Sequence, residues 1–458
     1  MCGVAGVYNH KEAANLVYLA LYSLQHRGQE SAGIVSAKNG HLLGHHQMGQ
    51  VADIFTEAVI EKLNGTSAIG HVRYSTHGDS ALRNCQPFVV NYASGPLAIA
   101  HNGNLVNADI LRQQFEARGS IFQSTMDTEV IVHLIAASKK PTLIERVQEA
   151  LAQVEGAWSL VFISGDQMIA ARDPFGFRPL VLGRKDGAYV VVSETCALDL
   201  LEAQFIREIE PGEIIQFNGS GMQSSFVETP RPTKKAQCIF EYVYFARPDS
   251  IIFDRNVYEI RKGFGRQLAL ESPVEADMVV PVPDSGVPAA IGYSAESGIP
   301  FELGLIRNHY VGRTFIEPTQ SIRHFGVKVK LNAVKELMKD KRIVLVDDSL
   351  VRGTTSRKII GMIREAGARE VHVRISSPPV LWPCFYGIDT PERKELVAAN
   401  HSTDEVRKFI GADTLAYLSP ESLYWFQKHK EKGEWFCDAC FTGTYPAGRE
   451  LIEERLNL

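Results

Sequence analysis

The chain contains no apolar run long enough to span a bilayer. Its first residues, MCGVAGVYNH, lack the basic flank and long apolar core of a signal peptide. Positive charge is not in excess: the formal net charge is −5, so no global basic field favours nucleic acid. Cysteine is sparse, and its count of seven is odd, which argues against a disulfide scaffold and for thiols with separate tasks. Internal repeats and low-complexity segments are also absent. A cytoplasmic globular protein without nucleic-acid or membrane partners is expected. At 458 residues, two or three domains are expected.

Up to about residue 230 the sequence mixes short strand-like runs with helices. "GPLAIAHNGNLVN" and "WSLVFISGDQMIAARDPFGFRPLVLG" read as strands cut by Asn-Gly, Gly-Asp and Pro-Phe-Gly turns. "TMDTEVIVHLIAAS" reads as a helix starting near Asp127 or Thr128. "ETPRPTKKAQ", 228–237, is a Pro/Thr/Lys linker, which divides the chain into residues 2–230 and 231–458. Beyond it, strands alternate with helices. "ADMVVPVPDSGVPAAIGYSAESG" and "RIVLVDDSLVRGTTSRKIIGMIREAGA" share a strand–turn–helix plan, the second stopped at Gly367, and "REVHVRISSPP" adds a strand. This alternation predicts a parallel α/β sheet with ligands at the strand C-termini.

Cys2 carries the first chemistry. Removal of Met1 would leave its thiol, pKa ~8.5, beside its own amine, pKa ~7.7–8.0. Nucleophile and base then share one residue. In "GHVRYSTHG", Arg73 sits in a turn beside Thr76 and His77, where a guanidinium could fork onto a substrate carboxylate. In "AHNGNL", the Asn102 amide and the Gly103 N–H are two neutral donors suited to an oxyanion. In "STMDTE", Asp127 could hold an amino group. Each has a plain alternative: a surface ion pair for Arg73, a hairpin turn for Asn102-Gly103, a helix cap for Asp127.

Together with "HRGQESAG" and "NCQPF", these stretches resemble the N-terminal-nucleophile glutaminase domain of class II glutamine amidotransferases. The resemblance implies a four-layer αββα fold. It implies Cys2 as nucleophile, Asn102 and Gly103 as oxyanion hole, and Arg73 and Asp127 as glutamine clamps, with Thr76 and His77 nearby. Arg27, in "QHRGQ", resembles a structural arginine beside the nucleophile.

In "KRIVLVDDSLVRGTTSRK", apolar Ile343 to Val346 form a strand with Asp347 and Asp348 at its end. Ser349, Arg352, Gly353, Thr354, Thr355 and Ser356 then lead into a helix whose first turn has free N–H groups, a cradle for phosphate. Paired carboxylates suit ribose hydroxyls or a bound Mg²⁺; the alternative is a solvated acidic pair on a capped loop. This stretch resembles the PRPP-binding signature of type I phosphoribosyltransferases. "VPVPDSGVPAA" resembles their pyrophosphate loop, with Asp284, Ser285 and Gly286 at the turn. The resemblance assigns Mg²⁺ to Ser285, Asp347 and Asp348. Between the two, Arg307, Arg313, Arg323, Lys328 and Lys330 face one acid, Glu317; a basic loop closing over pyrophosphate is expected.

A glutaminase joined to a PRPP site resembles the PRPP-dependent glutamine amidotransferases over essentially the whole chain. That implies glutamine hydrolysis at Cys2, internal passage of ammonia, and displacement of pyrophosphate from PRPP to give 5-phosphoribosylamine, the first step of de novo purine synthesis. It further implies purine nucleotide inhibitors and a homotetramer. Other class II amidotransferases would share only the first half, and a non-catalytic PRPP-sensing regulator would not need the Cys2 set. Cys437 and Cys440 form a C-x-x-C, with Cys238 and Cys384 far off; spacing alone leaves zinc, a redox pair or a cluster open. Their placement resembles the iron–sulfur branch of that family, which implies a [4Fe-4S] cluster on all four. Cys85 and Cys196 are expected to be small core residues.

Overall fold

A computed structural model describes residues 1–74, 79–165, 167–228, 234–308, 330–427 and 436–456. The first half is built on thirteen strands. They are β1 (Gly3–Tyr8), β2 (Ser31–Lys38), β3 (His41–Met48), β4 (Ser67–Arg73), β5 (Phe88–Tyr92), β6 (Gly95–Leu105) and β7 (Gly156–Ser164). There follow β8 (Gln167–Arg172), β9 (Val181–Lys185), β10 (Ala188–Val192), β11 (Gln204–Glu208), β12 (Glu213–Asn218) and β13 (Gly221–Phe226). One sheet has the order β11-β9-β10-β1-β4-β2-β3 and the other β13-β12-β8-β7-β6-β5.

Side-chain alternation explains why these strands read as continuous apolar runs. On β7, Val161 and Ile163 point into the space between the sheets, where they meet Val4, Ile69 and Val191 of the facing sheet. Trp158, Leu160 and Phe162 point the other way, onto Val130, Ile131 and Leu134 of the helix Thr128–Ala137 and Val147 of the helix Leu143–Leu151. Both faces are covered, so no polar alternation survives. The helix Ala13–Ser23 covers the outer face of the first sheet through Leu16, Val17 and Leu21. The result is the four-layer αββα arrangement.

The strand β6 corrects one expectation. Asn102 and Gly103 do not turn the chain; β6 runs unbroken from Gly95 to Leu105, with Asn102 opposite Ser159 and Gly103 opposite Trp158. Asn-Gly is a turn signal only where no neighbouring strand captures the backbone, and here β7 does.

The second half carries four parallel strands in the order β14 (Met278–Pro281), β15 (Arg342–Asp347), β16 (Glu370–Ile375) and β17 (Thr414–Tyr417). Val344 and Val346 face Phe264, Leu268 and Tyr293, from the helices Val257–Glu271 and Val287–Ser297. Ile343 and Leu345 face Ile359 and Ile363 of the helix Thr354–Glu365 on the opposite side. That helix ends at Glu365, with Gly367 at φ +94° just beyond, as the sequence predicts. The boundary expected near residue 230 falls at 229–233, outside the described residues. No helix among the described residues is long and apolar enough to cross a membrane.

Candidate functional site

Cys2 lies just before β1, in the interior at 6% exposure. Its Sγ is 3.5 Å from the Tyr74 carbonyl oxygen, its N–H donates to Asn102 Oδ1 at 3.2 Å, and its carbonyl accepts from Arg27 Nε at 2.9 Å. Asn102 is fully buried, and its Nδ2 has no hydrogen-bond partner. An unsatisfied buried amide donor costs about 1–3 kcal/mol. A substrate oxygen that develops negative charge would recover that loss. Gly103 is packed too closely for any side chain: a Cβ there would stand 1.9 Å from the Ala157 oxygen. Met1 is buried, and burial lowers its α-amine to about 5.

Arg73 ends β4 rather than sitting in a turn, because β2 pairs with it at Ser31. Its guanidinium is 3% exposed, 3.6 Å from Glu30 and donating to the Asp79 carbonyl at 3.1 Å. Thr76 and His77 lie outside the described residues. Asp127 is the N-cap of the helix Thr128–Ala137: Oδ1 accepts from the Thr128 N–H at 2.8 Å and Oδ2 from the Leu105 N–H at 2.9 Å. The cap and a ligand role are compatible, since a carboxylate offers about four acceptor positions.

The second constellation sits at the C-terminal edge of the parallel sheet. Asp347 closes β15 and Asp348 follows it. Asp348 accepts from Ser285 Oγ at 2.6 Å and Ser349 Oγ at 2.5 Å. Burial, then the charge of Asp348, pushes the Asp347 carboxyl well up. Burial also raises Asp348, against the opposing hydrogen bonds of Ser285 and Ser349 and the charge of Arg261. A buried and a half-buried carboxyl, both held above their usual range, suit a cation or sugar hydroxyls. Thr354, Thr355 and Ser356 form the first turn of the helix, so the cradle is the loop Ser349 to Gly353 together with that turn. Gly286 is required by close approach: a Cβ there would stand 2.6 Å from the Val346 oxygen. Asp284 pairs with Arg307, and Arg307 and Lys330 line the adjoining cleft. Arg313, Arg323 and Lys328 lie outside the described residues.

One cavity of about 480 Å³ is lined by Tyr74 and Arg27, both in contact with Cys2, and by Asp347, Asp348 and the Ser349–Ser356 segment, with Phe240, Phe245, Val380 and Ile388 also among its walls. Tyr74, Tyr244 and the 388–390 segment have no signal in the sequence that would have marked them. Glu194 and Glu241, which hold Arg27 between them, are equally silent there, Glu241 with a contact at 2.8 Å.

The four cysteines converge from three segments. Gln237–Cys238 pairs in parallel with Phe436–Cys437, so Cys238 and Cys437 are opposite one another, and Cys440 lies in the short helix Ala439–Thr442. The C-x-x-C therefore runs from the end of a strand into a short helix. Burial, then the charge of Cys238, pushes Cys437 and Cys440 well up, with Cys384 and Asp438 among the further causes. The Tyr386 N–H points at Cys384 Sγ from 3.3 Å. All four thiols are free. No three His, Cys, Asp or Glu among the described residues are grouped to hold a single metal ion. A cubane instead takes one thiolate per iron, and three buried thiols with the half-buried Cys384, beside Arg178, which the charges of Cys238 and Cys384 stabilise, fit such a group. Cys85 and Cys196 are core residues, at 2% and 3% exposure.

Comparison with known proteins follows this division. A glutamine amidotransferase domain family matches residues 71–200, and a phosphoribosyl transferase domain family matches 256–376. The Bacillus subtilis amidophosphoribosyltransferase is 50% identical over 97% of this chain and 94% of its own length. The chloroplastic enzyme of Glycine max is 53% identical over 99% of this chain and 79% of its own. A solved structure of the B. subtilis glutamine PRPP amidotransferase, complexed with ADP and GMP, superposes with a TM-score of 0.92 at 50% identity over 98% of both chains. With relatives of 50% identity or more matched over nearly the whole chain, the chain belongs to the amidophosphoribosyltransferase family.

Proposed function

We propose that Cys2, once Met1 is removed, attacks the side-chain amide of glutamine with its own amine taking the thiol proton. The amine would be the nitrogen that now donates to Asn102 Oδ1. As the carbonyl becomes tetrahedral, Asn102 Nδ2 and the Gly103 N–H donate to its oxygen. Collapse expels ammonia and leaves a thioester, which water hydrolyses to glutamate. Arg73 fixes the substrate carboxylate and Asp127 its amino group. The partnerless Asn102 donor beside Cys2 carries this reading.

Ammonia then crosses the cavity between Tyr74 and Asp347. Aromatic and aliphatic walls disfavour ammonium and so keep the nucleophile neutral. It attacks C1 of PRPP, breaking the bond to pyrophosphate and yielding 5-phosphoribosylamine. The segment from Ser349 to Ser356 holds the 5′-phosphate, and Asp347 and Asp348 orient the ribose. Ser285, Asp347 and Asp348 would hold Mg²⁺, which supplies charge compensation for pyrophosphate when bound. Cys238, Cys384, Cys437 and Cys440 would hold a [4Fe-4S] cluster, a covalent tie between segments when bound.

The seven free thiols favour a reducing compartment such as the cytoplasm. Purine nucleotide inhibition rests on the nucleotide complex of the solved relative, and a homotetramer on the family resemblance. The test is product analysis with amide-labelled glutamine and PRPP in one tube. Label should enter 5-phosphoribosylamine, and Cys2→Ala should abolish this while sparing turnover with free ammonia. Equal loss of both activities would break the two-site reading.

A further inference from the structure

The amide-cleaving site is framed by the first half of the chain, but one of its walls comes from the second. Three consecutive residues after Cys384 each fasten to that site. The Phe385 carbonyl accepts from Asn104 Nδ2 at 3.0 Å, two residues beyond Asn102 on β6. The Tyr386 carbonyl accepts from Arg178 Nε at 2.9 Å and Nη2 at 2.5 Å. Gly387, at φ +98°, lies flat on the Gly103 backbone: a Cβ on it would stand 2.8 Å from Gly103 C and 2.9 Å from its oxygen.

The grip is itself anchored. The Tyr386 ring stacks on Phe177 at 4.3 Å, its hydroxyl donates to the Ala447 carbonyl at 2.7 Å, and Arg178 is wholly buried. On its other side, Gly103 is closed off by Ala157. The backbone immediately after the Gly103 donor, its Cα, carbonyl and Asn104, is thus held between β7 and a loop more than 280 residues away in sequence.

We propose that the segment Phe385–Gly387 is a positioning element for glutamine cleavage, holding the Gly103 peptide so that its N–H meets the oxygen of the tetrahedral intermediate. The inference rests on the Cys2–Asn102–Gly103 reading above. The segment touches no substrate and acts only through Gly103 and Asn104. A donor displaced by a fraction of an ångström stabilises the transition state less while leaving substrate binding alone.

The test uses full-length holoenzyme carrying Gly387→Ala, with Asn104→Ala as the milder second variant. Gly387→Ala should lower kcat with glutamine roughly 10- to 100-fold at unchanged glutamine KM. Its ammonia-dependent kcat should stay at the unmodified level. A γ-aldehyde analogue of glutamine, which adds Cys2 to form a tetrahedral adduct, should inhibit the variant more weakly by the same factor. Inhibition by glutamate, which needs no oxyanion donor, should not change. Asn104→Ala should move the same readouts in the same direction by less. Matching losses with glutamine and ammonia, a raised KM at constant kcat, or undiminished aldehyde affinity in both variants would overturn the proposal. Failure of the aldehyde to inhibit the unmodified enzyme would instead overturn the Cys2 reading beneath it.

Discussion

In the proposed reaction one side chain, Asn102, serves two steps. Its Oδ1 accepts from the nitrogen of Cys2, while its Nδ2 is held without a partner inside the protein. On that reading the first contact orients the base and the second meets negative charge on the substrate. Replacing Asn102 by Ala should therefore lower kcat for glutamine by about 10²–10³ with a small change in KM. Ammonia-dependent synthesis should persist, which steady-state assays with each nitrogen source would check. Asn102 and Gly103 stand out in the sequence as an adjacent pair of neutral donors, a side-chain amide and a backbone N–H. Their strand setting was not legible, since Asn-Gly has the same local preference whether or not neighbouring strands pair with it.

At the scale of the element, strand β15, its loop and the following helix form one unit. The strand is buried on both faces, so its polar residues are expelled to its C-terminal end, where the helix N-terminus faces them. This local order makes the unit readable from eighteen consecutive residues, "KRIVLVDDSLVRGTTSRK". Asp348 is tied to Ser285 from the neighbouring β14 turn, so both loops answer to one carboxylate. Asp348→Asn should raise the KM for PRPP at least tenfold, the scale of losing a charge-assisted hydrogen bond of about 1.5 kcal/mol or more. Glutamine hydrolysis without PRPP should remain measurable. Unchanged PRPP kinetics would reject the assignment. The basic loop differs: its cations were visible in the sequence, yet of those named only Arg307 and Lys330 fall among the described residues.

Across the whole molecule, buried charge joins the halves. Glu194 accepts from His26 and Arg27 of the first half and from Ser250 Oγ and the Arg247 N–H of the second. Burial pushes its carboxyl up, but His26 and Arg27 overcome this and hold it well below the usual range. A depressed carboxyl stabilises the fold above its unfolded value of about 4.3, and that contribution is lost as pH falls below it. Glu194→Gln should therefore cost about 3–5 kcal/mol at neutral pH, leaving Arg27 half-paired. It should also flatten the decline in stability between pH 5 and pH 3, on the order of the carboxylate titration range. Urea unfolding at several pH values measures both. The four convergent cysteines predict about four irons per chain in anaerobically purified protein, by metal analysis and visible absorption. Stoichiometric zinc would refute the cluster.

The amino-acid order by itself determined the two chemistries: a thiol at position 2, and an acid pair followed by a hydroxyl cradle. Both are set by neighbours a few residues apart, where strand burial and the helix dipole act locally. It also placed the helix Thr128–Ala137 and the stop at Gly367, which depend on caps. Only the tertiary structure decided that Tyr74 lies over Cys2, that Glu241 and Glu194 grip Arg27, and that Phe385–Gly387 rests on Gly103. Such contacts join segments separated by tens to hundreds of residues. They are fixed by how buried surfaces and charges fit together, a condition no single stretch of sequence expresses.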